Sequence, residues 1–298
     1  MIPPVKNADA EKFTWPPQSD TPPSSATHTS VPIRLPNPLI ESIETHLLGR
    51  TGLAFDRWAL QTGWTRDQNK DYCWRCGGSI GEFESDGDGC ATCRDKKLPW
   101  DRAIRLGSYQ GTLRQEVLAL KFKSWRPTGY GLGKHLGWAI KEQLEIAQVP
   151  PDQAALVPIP MHRFRRISRG VDHTLVLARS AAKSSGCSIM PILSTKLRSE
   201  QVGLSKTARA RNMKDAFFIS NKAQRKLRSS TTQKHRVYIL IDDVRTTGAT
   251  FVAASKVVDS AFKAIEGGNS DGQSTIEVWT ACIGVAGKSR RKAEDAQA

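Results

Sequence analysis

The chain has 298 residues, 39% of them hydrophobic and 24% charged, enough for one sizeable core and a small accessory module. No apolar run approaches the ~20 residues of a bilayer-spanning helix. The start, Met1-Ile-Pro-Pro, also lacks the apolar stretch of a signal peptide, so no membrane insertion and a cytoplasmic location are expected. The net charge of +15 is uneven: twelve cations face two acids between Lys196 and Arg236, a block suited to nucleic acid, a polyphosphate or plain solvent.

Residues 1–37 hold repeated prolines and a Ser/Thr tract, with too little apolar content to offset the entropy of ordering, and are expected to be a disordered tail. A second segment, 38–100, opens with Leu39, Ile40, Ile43, Leu47 and Leu48 at three- and four-residue spacing before Gly49, which predicts a short amphipathic helix. It continues with Cys73-Trp-Arg-Cys76, thirteen residues, and Cys90-Ala-Thr-Cys93. Two Cys-x-x-Cys pairs at this separation let four thiolates converge on one Zn²⁺ from two tight turns. Disulfides or a redox motif are the alternatives, but redox motifs do not come doubled and a cytosolic chain rarely keeps disulfides. With no fifth ligand among Cys73, Cys76, Cys90 and Cys93, the zinc is expected to be structural. Trp74 either packs on the ribbon or stacks on a nucleobase. Cys187 and Cys282 stand alone in apolar settings and read as core thiols.

Residues 101–286 alternate between strand and helix. Candidate strands are Ala103–Tyr109, Ala155–Ile159, Ile189–Leu193, Val237–Ile241 and Ile276–Ile283; candidate helices are Leu113–Lys121, Gly131–Ile146, His173–Lys183 and Thr250–Ile265. Strands separated by helices of this length predict an α/β domain, its mostly parallel sheet flanked by helices. Residues 287–298 are a basic, polar tail.

The continuous apolar run Val237–Ile241 predicts a central strand, buried on both faces and ending at Asp242-Asp243. Carboxylates at the carboxyl end of such a strand lie where α/β proteins place ligands and can accept hydrogen bonds from ribose hydroxyls. Thr246-Thr-Gly-Ala-Thr250 then supplies small residues, three hydroxyls and one glycine just before a helix, a nest for a phosphate. Helix capping would explain one Asp or one Thr of this string, not all of it.

Asp242-Asp243-Val-Arg-Thr-Thr-Gly-Ala-Thr250 after an apolar strand resembles the phosphoribosylpyrophosphate motif of type I phosphoribosyltransferases. With the doubled Cys-x-x-Cys ahead of it, the chain resembles the ComF family. Tyr109-Gln-Gly-Thr-Leu-Arg with Leu-Ala-Leu-Lys121, Leu156-Val-Pro-Ile-Pro-Met-His162 with Arg169-Gly170, and Gln201-Val-Gly-Leu-Ser-Lys with Arg211-Asn212 agree, so the likeness covers roughly residues 70–286. The chain departs at Val171-Asp172-His173, where the family usually has Phe-Asn-Gln.

The resemblance implies a type I phosphoribosyltransferase-like fold with a small N-terminal zinc ribbon. It also implies a phosphoribosylpyrophosphate or related ribose phosphate ligand with Mg²⁺, and glycosyltransferase chemistry on an unidentified acceptor. Asp242 and Asp243 would serve the sugar and the reaction; Arg245, Thr246, Thr247, Gly248, Ala249 and Thr250 would hold the phosphate. After Pro158-Ile-Pro160, the stretch with Arg163, Arg165, Arg166 and Arg169 would meet pyrophosphate, although four arginines in seven residues equally suit a nucleic-acid patch. Lys206, Arg209 and Arg211 belong to a segment between strands that either covers the site or is simply solvated. His162 reads as a hydrogen-bonding surface residue rather than a catalyst. The family's association with competence and DNA uptake carries the rival reading. In it the fold senses a ligand while the basic surface and ribbon engage single-stranded DNA or a DNA-processing protein.

Overall fold

The computed structural model describes residues 55–81, 84–122, 126–161, 172–195, 216–228, 235–266 and 276–287. The expected tail 1–37, the helix expected from Asn37 to Gly49 and all of the C-terminal tail beyond Gly287 lie outside them. In chain order the elements are α1 (Phe55–Thr62), β1 (Ser85–Asp86), β2 (Gly89–Cys90), β3 (Arg102–Ser108), α2 (Gly111–Phe122), α3 (Arg126–Ile146), β4 (Ala154–Pro158), α4 (His173–Ser185), β5 (Ser188–Ile189), β6 (Leu193–Thr195), β7 (Phe217–Ile219), α5 (Asn221–Arg228), β8 (Val237–Arg245), α6 (Ala249–Glu266) and β9 (Glu277–Val285).

Five strands form a parallel sheet in the order β3-β9-β8-β4-β5, as the α/β pattern predicts. Its centre is β8, whose Val237–Ile241 run is wholly buried because both faces are covered. Val237, Ile239 and Ile241 face a layer built from α1 to α4, and Tyr238 and Leu240 face α6 and the antiparallel pair of β6 and β7. Among the described residues, no helix is long and apolar enough to cross a membrane.

Among the boundaries that differ from the sequence expectation, two have local physical reasons. The expected strand Ile189–Leu193 is two: β5 at the sheet edge and β6 in a separate antiparallel pair with β7. Pro191 lies between them, without an N–H to donate to a ladder, and the Ile192 N–H turns back onto the Met190 carbonyl at 2.9 Å. Helix α3 starts at Arg126 rather than Gly131, with Pro127 in its first turn, where a missing N–H costs nothing.

Glycines within α3 are used in packing. A Cβ at Gly133 would stand 2.7 Å from the Leu177 carbonyl oxygen, and one at Gly137 would stand 2.4 Å from that of Ala181, so α3 and α4 touch backbone to backbone. At Gly131 the same atom would meet Phe55, which seats α1 on α3. The family departure at Asp172 keeps a local role: its carboxylate caps α4, accepting from the Leu175 N–H at 3.1 Å.

Candidate functional site

The four cysteines expected to bind zinc come together. Their sulfurs lie within 4.8 Å of one another. Cys73 to Cys93 is 3.7 Å, Cys76 to Cys90 is 3.6 Å and Cys90 to Cys93 is 3.7 Å. A tetrahedral Zn²⁺ with ~2.3 Å bonds needs sulfurs about 3.8 Å apart, so the donor set fits the ion without rearrangement. All four are free thiols rather than disulfides. Among the described residues, this is the group of three or more metal-capable side chains that converges.

Local geometry explains the two knuckles. Gly77 takes φ +67°, and its N–H returns to the Cys73 carbonyl at 2.6 Å while the Gly78 N–H points at the Cys76 sulfur. In the second, the Cys93 and Arg94 N–H groups both reach the Cys90 carbonyl at 2.9 Å. Arg75 of the first knuckle binds the knuckles together, its guanidinium donating to the carbonyls of Asp88, Cys93, Arg94 and Lys96. Trp74 packs on the ribbon, its indole N–H donating to the Asp86 carbonyl and its ring lying against Arg102.

The hydrogen bond between Cys73 and Cys76 draws the Cys73 thiol well below the usual thiol range and pushes that of Cys76 up. Burial pushes Cys93 up to about 11. Zinc must displace the thiol protons, so it is held less tightly as pH falls. One equivalent of zinc per chain is expected by elemental analysis, with Cys76→Ser losing it; a reduced chain purified without zinc and unable to take it up would refute the assignment.

The acid pair sits at the carboxyl end of β8, but the strand does not stop there. It continues through Asp242 and Asp243 to Arg245, because β9 pairs with it as far as Arg245 opposite Val285. Ile241 and Val244, three residues apart, pack on the same layer, so the two-residue alternation breaks across the acids. Both carboxylates are half-buried, and that of Asp242 accepts from the Asp243 N–H at 2.8 Å. Opposite Asp242 lies Cys282, a thiol that burial pushes up to about 12 and that behaves as an inert core group, as does buried Cys187.

Thr246 and Thr247 are exposed, Gly248 is buried at φ +81°, and Ala249 and Thr250 open α6 half-buried. The Ala249 N–H faces the Thr247 hydroxyl at 3.4 Å. The end of β4 adjoins this corner, the Ile159 N–H donating to the Ile241 carbonyl at 2.9 Å. His162, Arg163, Arg165, Arg166, Arg169, Lys206, Arg209 and Arg211 lie outside the described residues.

Four residues beside the site escaped the sequence reading. Trp100, only 6% exposed, lies next to Gly248 and meets Phe251 edge-on with ring centres 6.3 Å apart. Gly77 lies beside Arg245, Arg75 joins the knuckles, and Arg105 anchors the ribbon to β3. A tryptophan between the last cysteine and the first strand, and a charge inside the apolar run of β3, were the available signals.

No family model matches the chain. It is similar to Competence protein F of Haemophilus influenzae, 25% identical over 189 residues, covering 63% of this chain and 78% of that protein. It is similar also to the DNA utilization protein YhgH of Salmonella typhi, 26% identical over 240 residues, 79% of this chain and 95% of that one. The Salmonella typhimurium protein of that name is 27% identical over 199 residues, 65% of this chain and 77% of it. The chain is a homologue of these competence and DNA-utilisation proteins, the ComF family that its motifs resemble.

Proposed function

We propose that this chain binds 5-phosphoribosyl-1-pyrophosphate, or a closely related ribose 5-phosphate, over Asp242–Thr250 and transfers the phosphoribosyl group to an acceptor. The observation that carries this reading is the junction of β8 and α6: two half-buried carboxylates near the end of a central parallel strand, then a turn with Gly248 at φ +81° opening an 18-residue helix. Carboxylates suit the ribose hydroxyls, and the backbone amides and hydroxyls of the turn suit a phosphate dianion. In the transfer the bond from ribose carbon to pyrophosphate breaks as the acceptor bonds to that carbon. Asp242 and Asp243 would offset the positive charge that develops there.

An acid pair alone is not a cage for magnesium, so that ion would be held between these carboxylates and the ligand's own oxygens, neutralising the departing pyrophosphate. Arg163, Arg165, Arg166, Arg169, Lys206, Arg209 and Arg211 are proposed as the cations that receive pyrophosphate, with the resemblance as their support.

Calorimetric titration with phosphoribosylpyrophosphate and Mg²⁺ tests the reading. Binding is expected, and Asp242→Asn with Asp243→Asn should weaken it by roughly 100-fold, since hydrogen bonds to charged groups contribute about 1.5–3 kcal/mol each. Pyrophosphate release from phosphoribosylpyrophosphate in the presence of an accepting base or nucleotide should vanish in the same variant. A chain carrying its zinc that gives no binding heat refutes the proposal.

The names of the relatives and the +15 charge favour a second reading, in which the protein handles DNA and the phosphate site only senses a ligand. Salt-sensitive binding of single-stranded DNA that survives loss of the acid pair, but fails when the arginines from Arg163 to Arg169 are neutralised, would select it.

A further inference from the structure

The first zinc knuckle and the proposed phosphate turn come close at two points, though they lie far apart in sequence. The Gly77 turn is the first: a Cβ there would be 3.2 Å from the Ala103 Cβ and 3.5 Å from Arg245 Nη2, so the guanidinium lies beside the knuckle turn. Trp100 makes the second. Its indole N–H donates to the Arg75 carbonyl, inside the knuckle, at 3.1 Å. Its ring meets Phe251 in the first turn of α6, and its Cη2 is 3.7 Å from where a Gly248 Cβ would lie. Arg75 in turn clamps the second knuckle, so both halves of the cysteine cluster converge on Trp100.

We propose that the first zinc knuckle is the rear wall of the Arg245–Gly248 turn, and that Trp100 is the positioning residue through which metal occupancy sets affinity for a phosphorylated ligand. This rests on the reading of Asp242–Thr250 as a phosphoribosylpyrophosphate site. Sulfur separations of 3.6–3.7 Å already match a zinc tetrahedron, and a bound cation holds them there. With the cation bound, the Arg75 carbonyl and Gly77 turn are fixed, and with them the backbone of the turn. A turn already held in its binding shape spends less free energy on ordering when the ligand arrives. Linkage makes the effect reciprocal: if zinc tightens the ligand, the ligand tightens zinc by the same factor.

The test uses the full chain with phosphoribosylpyrophosphate and Mg²⁺. Ligand affinity is measured by calorimetry on the zinc-loaded protein, the chelator-treated protein and zinc-loaded Trp100→Phe. Zinc affinity is measured at equilibrium against a chromophoric chelator, with and without saturating ligand. Removing zinc should weaken the ligand about tenfold, within the usual range of coupling between sites, and the ligand should shift zinc partition by the same factor. Trp100→Phe keeps a ring against Phe251 but loses the bond to Arg75. It should keep one zinc per chain, bind the ligand several-fold more weakly and lose the ligand-dependent shift in zinc partition.

Should the chelated chain unfold, the zinc-partition measurements on wild type and Trp100→Phe decide alone. Wild type that binds the ligand while its zinc partition stays unmoved overturns the coupling and leaves the ligand reading standing. A full shift persisting in Trp100→Phe overturns the role of Trp100. No binding by the zinc-loaded wild type overturns the ligand reading and this proposal with it.

Discussion

Gly137→Ala is expected to destabilise the chain by about 3 kcal/mol, and Gly129→Ala, in the same helix, by less than about 0.5 kcal/mol. Alanine removes the intrinsic helix penalty of glycine at both positions, a gain of about 1 kcal/mol. What the new methyl meets decides the sign. At Gly137 it would stand 2.4 Å from the Ala181 carbonyl oxygen, 2.9 Å from the Ala181 Cα and 2.7 Å from the Ser184 Cβ. Backbone cannot step aside, so α3 and α4 must part by about 1 Å along their shared face, with an overpacking cost at or above the ordinary 1–3 kcal/mol. At Gly129 the neighbours are the ends of Leu120 and Val176, each 3.0 Å away and able to rotate. Thermal melting checks both, with Gly137→Ala lower by roughly 6–12 °C for a domain of this size. Equal midpoints for the two variants would show that the helices are not in backbone contact.

The central strand was legible because a fully buried parallel strand is a continuous apolar run, and Val237–Ile241 has nothing else to be. The cysteines were legible because the spacing that clasps a metal is local in sequence. The stopping point of β8 was not: two consecutive acids resemble a terminus, and only pairing with β9 carries the strand on to Arg245. Nor was the start of α3, since Pro127 and Gly129 read as loop in isolation, although proline is tolerated in the first turn of a helix. The wall behind the phosphate turn was the least accessible feature. Gly77 and Arg245 lie side by side, yet neither has a local pattern that names the other, and Trp100 looks like any tryptophan until its indole is seen to reach Arg75.

Arg105→Ala is expected to cost about 3–5 kcal/mol, the range for removing one partner of a buried ion pair. The guanidinium lies within β3, only 2% exposed, and donates to the Gly77 carbonyl at 3.1 Å, the Ser79 hydroxyl at 2.9 Å and the Asp71 carbonyl at 3.2 Å. It also pairs with Asp67 at 2.6 Å, so one side chain ties the segment before the ribbon and the first knuckle to the sheet edge. Burial pushes the Asp67 carboxyl above its ordinary 3.8, and Arg105 pulls it back without fully offsetting burial. Removing that pull raises the carboxyl further, and the sign of the pH dependence follows. Below about pH 3.8 Asp67 is protonated with or without the arginine, and the deficit reflects lost hydrogen bonds alone. As pH rises past the wild-type value, the variant must either hold a proton or bury an unpaired charge, so the deficit grows towards neutrality. Urea denaturation of both chains at pH 4 and pH 7 should give the larger difference at pH 7. Arg105→Lys should recover only part of it, because an ammonium has no planar fork to reach all four acceptors. A deficit equal at the two pH values would mean that Asp67 gains nothing from the pair, leaving the carbonyls of Gly77 and Asp71 as what Arg105 serves.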